Sequence, residues 1–217
     1  MSTLPIFEFS QESRKAERCL PIGVLAATDV STSRLQDAVE PWKERALNQL
    51  RSEASKRAET RTARFDDFFK NNDFNCSLFG QMKRVKKKGF PRISPYVDTL
   101  LVCEMMSGLL MGVQDLNTIE GGLIYDVARG GESFQSVRDV VTCHPNEIVL
   151  RDERSIVASY FQGPNHRINV NPTTTSILFL IFTAPQLDEA ALSDTLNLVT
   201  EIVAPSAREI EARMFAA

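Results

Sequence analysis

Glu104 is a carboxylate set in an apolar run. Val97, Leu100, Leu101, Glu104 and Gly108 recur at spacings of three and four, which puts them on one helical face. Burying a carboxylate there is unfavourable unless it is paired, hydrogen-bonded or protonated. Two roles meet that condition. Glu104 can be a general base or a pocket-floor group with a raised pKa, or it can accept backbone N–H groups from a neighbouring loop. The next residues, Leu110-Met111-Gly112-Val113-Gln114-Asp115, read as a helix end. Such an end can present Met111, Gly112 and Gln114 to a ligand, or it can be an ordinary glycine C-cap with Asp115 opening the next turn.

A second polar stretch, Gln162-Gly163-Pro164-Asn165-His166-Arg167, interrupts apolar β-type sequence. Loops of this kind often carry function. His166 can serve as acid or base, and Arg167 can clamp a carboxylate or phosphate. A polar surface turn would have the same composition. Glu104, Gln114 and His166 are thus the candidate catalytic residues, and Met111, Gly112, Gln162, Gly163, Asn165 and Arg167 the candidate substrate contacts. His144 and His166 are the only histidines, and no Cys or His pair has ligand spacing, so no metal is expected. Phosphate-loop, nucleophile-elbow and dinucleotide motifs are missing too, and no cofactor is expected. Lys83, Arg84, Lys86, Lys87 and Lys88 form the one dense basic run. Such a run can supply the sequence-independent part of RNA affinity, or it can be a solvated face.

The elements that must position these groups follow from periodicity. Ile22 to Leu25 reads as an early strand. Leu35, Val39, Trp42, Ala46 and Leu50 mark a helix that Ser33 can cap, with charged residues continuing to about Glu59. Phe65, Phe68 and Phe69 suggest a short helix docking on the core. Ser94-Pro95 is an N-cap followed by proline at the first helical position, and that helix is expected to run to about Leu110. From Gly121 the pattern changes to short β-type runs: Leu123 to Val127, Glu147 to Leu150, Ser155 to Phe161, Arg167 to Val170 and Ser176 to Phe182. Asp188 then caps a helix carrying Leu192, Leu196, Val199 and Val203, and Pro205 starts a final short helix. Helices flanking a contiguous β region make an α+β fold. Residues 1–217 form one domain, with a core at about 90–185, an N-terminal strand and helices over 1–89, and C-terminal helices over 186–217.

Composition narrows the class. Hydrophobic content of 43% and charged content of 24% fit an ordinary soluble protein. No apolar run reaches the roughly 18–20 residues that span a bilayer, and Met1 to Phe9 lacks the pattern of a secretory signal. The 4 cysteines lie far apart, which suits a reducing cytoplasm. A formal charge of −3 excludes a polycation, so RNA affinity must come from a local patch.

The order of motifs resembles the B3/B4 domain of the phenylalanyl-tRNA synthetase β subunit. Pro95-Tyr96-Val97-Asp98 matches its Pro-x-Val-Asp helix start, Asp115-Leu116 its Asp-Leu turn, and Glu120-Gly121-Gly122 its x-Gly-Gly strand start. Ala128-Arg129-Gly130-Gly131-Glu132 matches an Ala-x-x-Gly-Glu turn, Glu147 to Asp152 a Glu-Ile-Val-x-x-Asp strand, and Thr175 to Phe182 the final apolar strand. The likeness covers roughly 90–185. The preceding helices and the lack of synthetase core segments look like the free-standing proteins of this family.

The resemblance implies a mixed-sheet core and hydrolysis of the ester of a mischarged tRNA, acting in trans. Two positions depart from the family. Its editing site usually has a Pro and, two residues later, a His; Leu110 and Gly112 stand there. Its final strand usually carries a Glu for the tyrosine hydroxyl, whereas Ile177 to Phe182 has no carboxylate. These departures argue against tyrosine-specific proofreading. They leave open a repurposed enzyme or binder for a small amino-acid derivative, and a non-catalytic RNA-binding module. The expected partner is tRNA or such a small ligand, with no DNA and no membrane.

Overall fold

Ile22–Thr28 and Ile177–Phe182 are nearly continuous apolar runs, and both become central strands buried along almost their whole length. The computed structural model describes residues 3–187 and 189–217. Its first half contains β1 (Phe7–Phe9), α1 (Gln11–Lys15), β2 (Ile22–Thr28), α2 (Thr32–Leu50), α3 (Ser55–Lys70), α4 (Leu78–Lys88) and α5 (Pro95–Ser107). The second half opens with β3 (Met111–Asp115), β4 (Leu123–Val127), β5 (Ser133–Gln135), β6 (Val140–Thr142) and β7 (Ile148–Arg151). It continues with β8 (Ile156–Ser159), β9 (Gly163–Pro164), β10 (Ile177–Phe182), α6 (Glu189–Val203) and β11 (Glu209–Phe215).

Among the described residues the strands form a four-stranded antiparallel sheet, β11-β2-β10-β3, and a five-stranded sheet, β1-β4-β7-β8-β9. In the second sheet only β1 and β4 run parallel. β5 and β6 make a separate hairpin. Helix α6 lies on β2 and β11, α5 lies against β3, and α2 bridges α5 and α6. The buried side chains of these layers form one main core. The fold class is α+β, as expected. Among the described residues no helix is long and apolar enough to cross a membrane.

Helix α5 starts as its sequence dictates. The Ser94 hydroxyl accepts the Val97 N–H, and Pro95 opens the first turn. It ends earlier than expected, at Ser107, because Gly108 takes the left-handed cap with φ of 73°. A Cβ on Gly108 would also lie 2.3 Å from the Ala58 carbonyl oxygen, so α3 crosses where only glycine fits. Met111 to Asp115 is therefore a strand and not a helix-ending turn. Gly112 stands opposite Leu180 in the β10 ladder.

Other expectations need correction. Ser31, not Ser33, caps α2. The phenylalanine cluster belongs to the long helix α3, where Phe65 and Phe69 are buried. The stretch from Arg167 to Val170 begins in a one-turn 3-10 helix, His166–Ile168, because the Asn165 side chain accepts the Arg167 N–H. The expected C-terminal helix after Pro205 is a 3-10 turn, Ala204–Ser206, followed by β11. Every residue of buried β2 pairs with β11, which supplies partners for peptide groups that would otherwise be orphaned. The expected cap Asp188 lies outside the described residues.

Candidate functional site

A cavity of about 230 Å³ lies between the edge strand β3 of one sheet and β8–β9 of the other. One wall is apolar, from Phe69 of α3, Leu110 and Phe182. The other is the turn from Ala158 to Pro164, and Asn75, Cys76 and Ser77 stand at the rim. Aromatic stacking stiffens this end. Phe74 lies on Phe161 at 4.9 Å between ring centroids and on His144 at 5.0 Å. Phe69 and Tyr160 meet at 5.8 Å, and the Tyr160 hydroxyl donates to the Thr183 carbonyl at 2.8 Å.

The cavity brings together five residues singled out from the sequence: Met111, Gly112, Gln114, Gln162 and Gly163. Gln114 is 2% exposed, and its Oε1 has no hydrogen-bond partner among the described residues. A buried amide oxygen left unpaired is unfavourable by about 1–3 kcal/mol. A Cβ on Gly112 would sit 2.5 Å from Gln114 Nε2, so glycine there leaves room for that amide. The Phe182 N–H donates to Leu110 O at 2.9 Å, and the Gly112–Leu180 pair continues the same ladder. That pairing commits the Gly112 peptide to the sheet rather than to a ligand.

Glu147, which sequence reading placed only in a strand, organises the opposite wall. Its carboxylate accepts the His144 N–H at 2.8 Å, the Ser159 hydroxyl, and both Gln162 Nε2 contacts at 2.9 and 3.0 Å. Ser159 Oγ in turn accepts the N–H groups of Phe161 and Gln162 at 3.1 and 3.0 Å. Gln162 is thereby fixed over the cavity. The signal in the sequence was a glutamate three residues after His144, able to close its own turn. Cys76 and Phe69 come from distant parts of the chain and left no such signal. Burial raises the Cys76 thiol, opposed by a bond from the Leu78 backbone, so it meets the cavity as a thiol.

Glu104 does not line the cavity. It is 3% exposed and accepts the Met111 N–H at 3.0 Å, which ties α5 to the start of β3. Burial pushes its carboxyl up to about 8, against the pull of that N–H, so it is largely neutral at pH 7. A neutral acid behind the strand cannot take a proton from a water in the cavity. His166 is exposed and lies with Asn165 and Arg167 around a different surface depression. Asn165 Nδ2 donates to Ile156 O at 2.9 Å. Arg167 is committed to Asp152 at 2.7 Å and to Thr118 O. Burial acts to raise Asp152, but the N–H groups of Glu120, Ser155 and Arg154, together with Arg167, hold it below the usual carboxylate range. Asn165, His166 and Arg167 are therefore separate from the cavity, and the last clamps a carboxylate of its own chain.

Lys83, Arg84, Lys86, Lys87 and Lys88 are all exposed on α4. Lys86 reaches Glu59 at 3.5 Å, and Lys83 lies over the Phe79 ring at 4.3 Å. Among the described residues no three His, Cys, Asp or Glu side chains gather as a metal site. The cavity's own polar groups are amides, hydroxyls and a thiol. They can orient a water and hold an ammonium or hydroxyl group, with an apolar body against the aromatic wall.

A family model described as B3/4 domain matches residues 67–217. No curated protein matches the chain. Among solved structures, an N-terminal fragment of the phenylalanyl-tRNA synthetase beta-subunit from Pyrococcus horikoshii is similar, with 11% identity and a TM-score of 0.49. That similarity takes in 98% of this chain and 51% of the fragment, so the chain spans about half the fragment's length.

Proposed function

The chain belongs to the B3/4 domain family, and from that premise we propose that its inter-sheet cavity holds the aminoacyl end of a mischarged tRNA and hydrolyses the ester in trans. The observation that carries this reading is Gln114, a buried amide oxygen without a partner on the cavity wall. An aminoacyl ester brings an α-ammonium group that would satisfy it, and the charge would strengthen the bond. The side chain of the amino acid would lie against Phe69, Phe161 and Phe182. No carboxylate or imidazole lines the cavity among the described residues, which favours an apolar side chain over one with a hydroxyl. Gln162, fixed by Glu147, would orient the attacking water, since positioning alone contributes substantially to rate.

The test is hydrolysis of a panel of mischarged tRNAs by wild type, Gln114→Ala and Gln162→Ala. Each substitution is expected to lower kcat/KM for the preferred ester at least about tenfold, a loss of about 1.4 kcal/mol. Wild-type inactivity on the entire panel would overturn the proposal. The same lack of a carboxylate or imidazole supports a second reading, a binder of free amino-acid derivatives. It predicts binding of an amino-acid amide that Gln114→Ala abolishes, with no tRNA cleavage.

The exposed cations of α4 are the proposed tRNA contact. A triple Lys86→Ala, Lys87→Ala, Lys88→Ala variant is expected to flatten the slope of log K against log salt. The change should be about 0.7–0.9 for each phosphate that is no longer neutralised. An unchanged slope would remove α4 from the interface.

A further inference from the structure

A second cavity, of about 380 Å³, lies where α4 ends and the chain turns back to α5. Its floor is Leu101, its sides are Phe90 and Ile93, and Arg84 and Lys88 stand along one rim. The two cations are four residues apart on α4, so they project from one face towards the same opening. No ion pair occupies either of them among the described residues. Gln81 completes the lining, and its Oε1 is buried without a hydrogen-bond partner while its Nε2 donates to Ser77 Oγ at 3.2 Å. Ile93 is 63% exposed, so its side chain is open to a ligand at the cavity mouth. It is held there by the Asp98 carboxylate, which accepts its N–H at 3.1 Å and is itself anchored by Lys43.

These features define a ligand. The apolar sides and the Phe90 ring suit a flat, weakly polar body. The orphan amide oxygen needs an N–H donor. The rim needs an anion. We propose that this cavity receives one unstacked nucleotide of a single-stranded RNA, with the base between Phe90 and Ile93, an exocyclic amino group on Gln81 and the phosphate at Arg84 and Lys88. Base stacking on an aromatic side chain beside a cationic track is the usual physics of such sites. Lys83 and Lys87, on adjoining positions of the same side of α4, extend the track for the neighbouring phosphates, whereas Lys86 turns away to Glu59. The assignment deepens the tRNA reading above and rests on it for the identity of the RNA.

The test follows the side-chain amide signal of Gln81 in the ¹⁵N-labelled full chain, so it does not depend on ester hydrolysis at the other cavity. The probes are adenosine 5′-monophosphate, a single-stranded adenosine trinucleotide, inorganic phosphate and an acidic hydrophobic peptide. Saturable shifts with the mononucleotide are expected, with the trinucleotide binding at least about tenfold more tightly because it reaches the neighbouring cations. Gln81→Met and the rim variant Ile93→Asp should each weaken trinucleotide binding by about tenfold or more. The proposal is overturned if neither nucleotide shifts Gln81, or if phosphate alone matches the mononucleotide. It is also overturned if the trinucleotide gains nothing, or if the peptide binds more tightly than the RNA. Hydrolysis of mischarged tRNA with no nucleotide response would discard this site and keep the editing reading; a nucleotide response without hydrolysis would do the reverse.

Discussion

Replacing Glu104 by Gln is expected to make the protein's stability less sensitive to pH. Burial holds the folded carboxyl at about 8, against 4.5 for the ordinary group. Between those values the native state keeps a proton that the unfolded chain has released. Stability therefore falls as pH rises through this window, by about 1.4 kcal/mol per pH unit. The loss over the whole window is on the order of 4–5 kcal/mol. Glutamine keeps an oxygen to accept the Met111 N–H and has no proton to lose. Urea unfolding of both proteins from pH 5 to pH 9 would check this. The stability difference should move in favour of Glu104→Gln as pH rises to about 8 and level off above it. A difference constant across pH would show that the carboxyl titrates normally and reaches water.

The same residue shows where sequence reading stops. Its placement on an apolar helical face is legible, and both of its possible roles follow from the penalty on a buried carboxylate. Choosing between them requires knowing what the helix ends against. Two glycines, Gly108 and Gly112, could each close α5. The left-handed one is singled out by the Ala58 backbone, about fifty residues earlier in the chain. Once Gly108 ends the helix, the residues from Met111 onward are free to form β3, and Glu104 reaches the Met111 N–H. A shift of one turn in the helix end thus moves Glu104 from the cavity to its supporting layer. β11 is a similar case. Its charged sequence, Glu-Ile-Glu-Ala-Arg-Met-Phe, has weak local preference, and the open edge of β2 decides its conformation.

Gln114 and Gln162, each singled out on its own, are the part of the site that local reading reached. Both are polar residues in apolar surroundings, and each sits at a break in a hydrophobic pattern. What joins them is the long-range arrangement of the sheets. Gln114 bridges to Asn169 across the gap, and Arg167 reaches Thr118 O, so the turn after β9 is tied to the residues that follow β3. Asn165, His166 and Arg167 looked like site chemistry because they are polar and close in sequence. Two of them instead brace the turn after β9 against its own sheet, with Asn165 on Ile156 of β8 and Arg167 on Asp152 after β7. Composition alone does not separate a group that lines a cavity from one that fixes its walls.

Lys43→Met is expected to destabilise the protein by about 3–5 kcal/mol. Lys43 was not visible as special among the many charges of α2, yet it is 8% exposed and sits among the helix's buried residues. Its Nζ lies 2.7 Å from Asp98 and 2.9 Å from Glu40. Burial would lower its pKa, but the bonds its ammonium donates to the Asp98 and Glu40 carboxylates outweigh that effect and raise it. Asp98 is 1% exposed and otherwise accepts the Ile93 N–H. Methionine fills the space of the lysine stem and strands the Asp98 charge in the interior, the situation in which removal of one partner is most damaging. Lys43→Met with Asp98→Leu should recover a large share of the loss, because no uncompensated charge remains. Recovery should be incomplete, since the Ile93 N–H loses its acceptor. Urea unfolding of the two single variants and the double variant measures the coupling directly. A Lys43→Met protein within about 1 kcal/mol of wild type, where exposed pairs fall, would mean that Asp98 finds water when Lys43 is gone. The junction of α2 with α5 would then be open rather than sealed, and the segment from Phe90 to Ile93 would lose its anchor as a rigid wall.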